Sequence, residues 1–305
     1  MDKLKLFTLF SDFPKHILKT KFECTGVKHL ENGLKIYHYL DRETGVSVND
    51  LPKGMTLEFN PTKFLKGDNF EQINRIELIE SVQKLSDLYR TNFEFWNVSS
   101  FDYNSNIELD HKPAQYISCL GNLKNWTQII DVNGKTYHTG SNTKALIFYD
   151  KSVEFKKSKE EIPIQFENKN ILRIESSINK ITDNMKALEN MKNMKDFTTK
   201  ENYQQLPKLW LSMYDQVIKN EKEIYIPNLS KKENDMMTAI EKYTINGYRN
   251  KIKIEYPKNF RHEFIKIDKL MEKVKEFRIQ HGIISLMDEL NSKMIIRTNE
   301  LILAA

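Results

Sequence analysis

Three segments of the chain set an acid on the opposite face from a pair of apolar residues: MTLEFN (55–60), SSFDYN (99–104) and LRIESS (172–177). Successive side chains of a strand point to opposite faces. Leu57 with Phe59, Phe101 with Tyr103, and Leu172 with Ile174 therefore go to one side of a sheet. Glu58, Asp102, and Arg173 with Glu175 go to the other. A chain patterned this way builds a sheet with one apolar and one polar face. GLKIYHYL (33–40) alternates too, with Leu34, Ile36, His38 and Leu40 opposite Lys35, Tyr37 and Tyr39. The stretch 144–150 differs. Ala145, Ile147 and Tyr149 share one face, Leu146 and Phe148 the other, and both faces are apolar, as in an interior strand covered on both sides.

Between these strands the pattern predicts helices and a hairpin. Asn69 suits the N-cap of a helix over about 70–90, where Ile73, Ile76, Ile79, Val82, Leu85 and Leu88 recur every third residue. Pro113 suits the first turn of a helix over about 113–124. Gly140, Ser141 and Asn142 supply turn chemistry for a hairpin that sets His138 opposite Ala145. After about residue 185 the chain becomes Met-, Lys- and Glu-rich and reads as helical, with a hairpin expected at Asn246-Gly247. The expected fold is α+β: a central antiparallel sheet with helices on one face, plus a mainly helical C-terminal part. The expected division is 1–185, carrying the chemistry, and 186–305, basic and suited to DNA binding or oligomerisation.

Composition bounds the function. Hydrophobic residues make up 39% and charged residues 29% of the 305, as in a folded globular chain, and the net charge of +5 permits a nucleic-acid partner without demanding one. Residues 245–280 hold ten Lys/Arg against five Asp/Glu, a local excess of basic charge. Cys24 and Cys119 have neither disulfide-framework nor zinc spacing, which fits a reducing, cytoplasmic compartment. No run approaches 18 apolar residues, so no membrane partner is expected. DYNSN (102–106) resembles the start of a calcium loop, but Ile107 and Pro113 stand where that loop needs Gly and Glu.

Two readings of the polar residues stay open. Glu58, Asp102 and Glu175 are either solvated outer-face acids or neighbours gathered around a cation. Oxygen ligands of this kind suit Mg²⁺ or Mn²⁺. Arg173 is free to pair with any of them. Tyr149 is either an amphipathic strand end or a nucleophile whose phenolate a nearby cation such as Lys151 would favour. A reacting tyrosine suits attack on a phosphodiester, because the covalent phosphotyrosine keeps the energy of the broken bond for rejoining. Lys156, Lys157 and Lys159 are candidate phosphate contacts, and Trp96 and Trp126 either stack on bases or sit in the core.

LEFNPTKFLKGDNF (57–70), SSFDYN (99–104), NTKALIFYDKSVEF (142–155) and ILRIESSIN (171–179) occur in an order that resembles the filamentous-phage gene II and gene X replication initiators and their plasmid relatives. The resemblance covers roughly residues 55–180. It implies a rolling-circle nicking-joining endonuclease that cuts one strand of origin DNA, leaves a 3′-OH primer and forms a 5′-phosphotyrosine. By the same resemblance Tyr149 is the nucleophile, Lys151 and Glu154 complete the Y-x-K-x-x-E motif, and Glu58, Asp102, Glu175 and Glu154 are the acids for Mg²⁺ or Mn²⁺. The implied partners are single-stranded or supercoiled origin DNA and a host helicase, with a homodimer allowed. Phe101 stands in place of the family's arginine before the acid, and the His-hydrophobe-His motif of other nicking enzymes is missing. The alternatives are a non-catalytic origin-binding regulator on the same fold, and a phosphodiesterase that uses water.

Overall fold

The computed structural model describes residues 1–9, 13–121, 127–130, 136–158, 162–181, 188–219, 226–283 and 285–305. Ten strands form one sheet: β1 (Lys3–Thr8), β2 (Glu23–His29), β3 (Lys35–Leu40), β4 (Ser47–Leu51), β5 (Gly54–Phe59), β6 (Asn97–Leu109), β7 (Thr127–Ile130), β8 (Thr136–Gly140), β9 (Lys144–Asp150) and β10 (Asn170–Ile178). Their order is β2-β3-β4-β5-β1-β6-β10-β9-β8-β7. Every neighbouring pair is antiparallel.

The period-two pattern works as written. Leu4, Leu6, Leu57, Phe59, Phe101, Tyr103, Ile107, Leu172, Ile174 and Phe148 all join one buried cluster. Helices α1 (Lys15–Lys21), α2 (Pro61–Lys66), α3 (Arg75–Tyr89) and α4 (Pro113–Ile117) are followed by α5 (Lys151–Ser158), α6 (Met194–Phe197), α7 (Lys200–Tyr203) and α8 (Gln205–Asp215). The last three are α9 (Lys231–Glu255), α10 (Phe260–Gln280) and α11 (Leu286–Leu303). Residues of α1, α3, α4, α6, α7, α8 and α11 enter the same cluster. Helix α5 lies elsewhere: its Phe155 packs with Phe70 and Ile171 in a small separate cluster. Trp210 of α8 is fully buried and donates from its indole to the Ile174 carbonyl (3.1 Å), which ties the helical layer to the middle of the sheet. Trp210→Ala should cost about 3–5 kcal/mol in urea unfolding. A loss below about 1 kcal/mol would mean that α8 does not close the core.

Several local expectations are corrected. The N-cap of α3 is Asn74, in a capping box with Glu77, and Asn69 lies in the preceding loop. The buried face of α3 is Leu78, Ser81, Val82, Leu85 and Tyr89, while Ile76 and Ile79 are exposed. Steps of three residues fall short of a full turn by about 60°, so an every-third series winds around the helix instead of marking one face. Helix α4 ends at Ile117, short of the expected 124. Asn246-Gly247 makes no hairpin, because α9 runs straight through it. A single glycine costs a helix interior only about 1 kcal/mol, which neighbouring turns offset. The chain reverses instead at 256–259, after α9. The β8–β9 hairpin forms, with Gly140 opposite Ala145 and His138 opposite Ile147, two residues from the expected register. A Cβ on Gly140 would sit 2.8 Å from that of Ala145, so the closing pair of the hairpin leaves no room for a side chain there.

The division near residue 185 falls among residues outside the description. Beyond it, the helices from Met194 to Asp215 and from Leu286 to Leu303 complete the sheet's core, while α9 and α10 pack around Met236, Ile252, Ile267 and Leu270. No described helix is long and apolar enough to cross a membrane.

Candidate active site

The second face of the sheet gathers the polar positions of its central strands. Pairing sets Lys5 opposite Glu58, Lys3 opposite Asp102, Asp102 opposite Ser177, Glu175 opposite Asn104, and Arg173 opposite Tyr149. Tyr149, Glu175 and Asp102 thus form a diagonal row over β9, β10 and β6, each offset two residues from the last. Diagonal neighbours in a sheet lie about 7–8 Å apart at Cα, within reach of long side chains.

The centre of the row is a hydrogen bond. The Tyr149 hydroxyl donates to Glu175 Oε1. Arg173, fully buried, donates from Nη2 to Asp2 Oδ2 at 2.5 Å, and its Nε lies 3.3 Å from Glu175 Oε1. Burial pushes the Glu175 carboxyl up, to about 7, helped by the nearby Asp2 and Asp102 and opposed by Arg173. Burial likewise pushes the Tyr149 phenol well above its ordinary range, reinforced by Glu175 and opposed by Arg173. The resting phenol is therefore protonated, and the cation that eases its ionisation is Arg173, where Lys151 was expected. Arg173→Met would leave two mostly buried carboxylates without their cation and should cost about 3–5 kcal/mol in denaturant unfolding. An unchanged unfolding midpoint would show that the cluster is solvated.

Lys151 does not prolong the strand. It is the first residue of α5, its side chain is sealed from solvent, and its Nζ donates to Asn69 Oδ1 (3.0 Å) and Glu154 Oε2 (2.8 Å). The same Nζ lies 5.9 Å from the Tyr149 ring centre and 4.5 Å from that of Phe155. Burial lowers its pKa, with Arg173 as the next cause. Asn69 is the residue that sequence reading misplaced: its side chain accepts from Lys151 and its carbonyl from Arg173 Nη1 (2.6 Å). It follows Gly67, which ends α2 in the left-handed region at φ 88° and donates to the Lys63 carbonyl (2.8 Å). That turn directs the loop across the end of β10. The signal was the KGDN string within the family-like segment. Asp2 carries no comparable signal, being 171 positions from Arg173.

The four carboxylates expected around a divalent ion do not fit one site. Glu58 is on β5, four strand spacings from β9, roughly 19 Å across the sheet. It pairs with Lys5 (3.6 Å) and Lys3 (4.0 Å). Glu154 is on α5 and bound to Lys151. Among the described residues no three His, Cys, Asp or Glu side chains stand close enough to hold an ion together. Asp102 is the exception to the pairing: it makes no ion pair among the described residues, and burial raises its pKa while Ser177 and Lys3 act against that. The His138 side chain, Trp126 and Lys159 lie outside the described residues. Trp96 is in the core, and Lys156 and Lys157 are exposed.

A phenol aimed at a carboxylate of neutral pKa, with a guanidinium behind both, is an arrangement for moving the phenolic proton. No curated protein matches the chain. A family model for the N-terminal part of a phage replication-associated protein, the filamentous-phage gene II product, matches residues 31–201. That is more than half of the chain and takes in all of the residues just described except Asp2, Lys3 and Lys5. The chain therefore belongs to this family of phage replication-associated proteins and is a replication initiator.

Proposed function

We propose that the protein starts rolling-circle replication by cutting one DNA strand through covalent attack of Tyr149. The observation that carries this reading is the Tyr149–Glu175 hydrogen bond with Arg173 beside it. Tyr149 Oη attacks the scissile phosphorus and its proton passes to the Glu175 carboxylate. The bond from phosphorus to the 3′ oxygen breaks, and that oxygen leaves with a proton from water as a 3′-OH. The 5′ phosphate stays on Tyr149, so the reverse attack by a 3′-OH rejoins DNA without ATP. A general base works best with a pKa near the working pH, and Glu175 meets that condition where an ordinary glutamate would not. Arg173 stabilises negative charge on the phenol oxygen as the proton leaves.

Lys151 serves as a positioning residue. Enclosed by Asn69, Glu154 and Phe155, it joins the start of α5 to the loop that also receives Arg173. Mg²⁺ or Mn²⁺ enters the reading as an ion carried on the DNA phosphate, since Mg²⁺ needs only one or two carboxylates beside substrate phosphates. Single-stranded or supercoiled origin DNA is the substrate, and a host helicase opens the duplex behind the nick.

The test is covalent capture. A 3′-labelled random single-stranded library is incubated with the protein and Mn²⁺, then run on a denaturing protein gel. The expected result is label migrating with the protein, because the 3′ fragment carries the 5′-phosphotyrosine. Cleavage with all label free of protein would point to a water nucleophile, and binding without cleavage to a regulator.

A further inference from the structure

Helices α9 and α10, of 25 and 21 residues, form an arm with a core of its own. At 1.5 Å per residue α9 is about 37 Å long. The arm's tip, residues 249–262, carries Arg249, Lys251, Lys253, Lys258 and Arg261 against Glu255 alone. Arg249 is held by Asp268, and Lys251 lies 3.7 Å from Glu255. Lys253, Lys258 and Arg261 are exposed and have no acidic partner among the described residues. Between them Ile254 is 81% and Tyr256 56% exposed.

We infer that this tip grips the phosphate backbone of duplex DNA flanking the nick, with Lys253, Lys258 and Arg261 on phosphates and Ile254 and Tyr256 against the sugar edge. The inference rests on DNA being the substrate. Three exposed cations with no acidic partner among the described residues, beside two bare apolar side chains, are complementary to a duplex, which offers a phosphate every ~1.7 Å along its axis. A second copy of the tip would instead bring the same charge to the contact and be repelled. The grip is independent of sequence, because phosphate contacts fix position and do not read bases.

The experiment compares wild type with the triple variant Lys253→Ala, Lys258→Ala, Arg261→Ala. Binding to a labelled duplex fragment is titrated across salt concentrations. All three side chains are exposed, so the fold is expected to survive, with the melting midpoint as the check. Each phosphate contact contributes about 0.9 to the slope of log affinity against log salt, so the slope should fall by about 2–3. Affinity at moderate salt should fall roughly tenfold or more, while covalent capture of short single strands is unchanged. A control variant, Lys19→Ala, Lys21→Ala, Lys28→Ala, removes equal charge from exposed sites elsewhere and should keep the slope. An unchanged slope in the arm variant, or an equal fall in the control, overturns the inference. So does an arm variant that loses self-association or binding to anionic vesicles while its DNA slope holds. Failure of the covalent reading looks different: wild type gives no adduct, yet the slope still falls in the arm variant.

Discussion

Tyr149→Phe should eliminate covalent capture of DNA and lower strand cleavage by on the order of 10⁴-fold or more, while binding to single-stranded DNA should stay near wild type. Removing a nucleophile alone costs an enzyme nearly all of its catalytic advantage, because no neighbouring group can take over the bond it forms. Phenylalanine keeps the ring in place beside Lys151 and opposite Arg173. It loses only the hydroxyl, which donates to Glu175. The loss therefore reports chemistry and not collapse of the strand. Quantitative cleavage of single strands at matched binding is the measurement. A Tyr149→Phe protein within tenfold of wild type would remove the tyrosine from the mechanism.

Glu175→Gln is the second large effect. The amide still accepts a hydrogen bond from Tyr149 but cannot accept its proton, so single-turnover nicking should fall by about 10²–10⁴-fold. The pH dependence separates this from a packing defect. In the proposed mechanism the active form of Glu175 is the carboxylate, and burial raises its pKa to about 7. Nicking by the wild type should therefore fall as pH drops below about 7 and level off above it. The Gln variant should lose that limb as well as the rate. Burial must also be overcome each time Tyr149 ionises, which is why the proton needs an acceptor in contact. A wild-type profile with its midpoint near the ordinary glutamate value of 4.5 would place Glu175 in water and outside this role.

The sequence revealed the faces of the sheet and concealed the site's closeness. Alternation at Leu57, Phe59, Phe101, Tyr103, Leu172 and Ile174 assigns an apolar side because strand period is a local property. The same local rule puts Glu58, Asp102 and Glu175 on one face, but their separation depends on strand order and register. Those are set by pairings between segments far apart in the chain. By the local pattern alone Glu58 is as plausible a neighbour of Tyr149 as Glu175, but β1, β6 and β10 lie between β5 and β9. Helix faces were less legible than strand faces. The isoleucines at 76 and 79 are on the water side of α3, because the core selects Leu78, Val82 and Leu85 around Tyr89. Asn246-Gly247 carries a hairpin signature that α9 overrides through its packing against α10. Asp2 was invisible as a site residue, since its role comes only from β1 lying beside β6 and bringing the chain's second residue to Arg173.

The most direct test is to locate the covalent bond. Digestion of the protein–DNA adduct with trypsin should yield the peptide Ala145–Lys151, ALIFYDK, bearing a nucleotide on its only tyrosine. Mass spectrometry that finds the phosphodiester on Tyr149 agrees with the account. A nucleotide on any other residue, from an adduct formed in good yield, contradicts it.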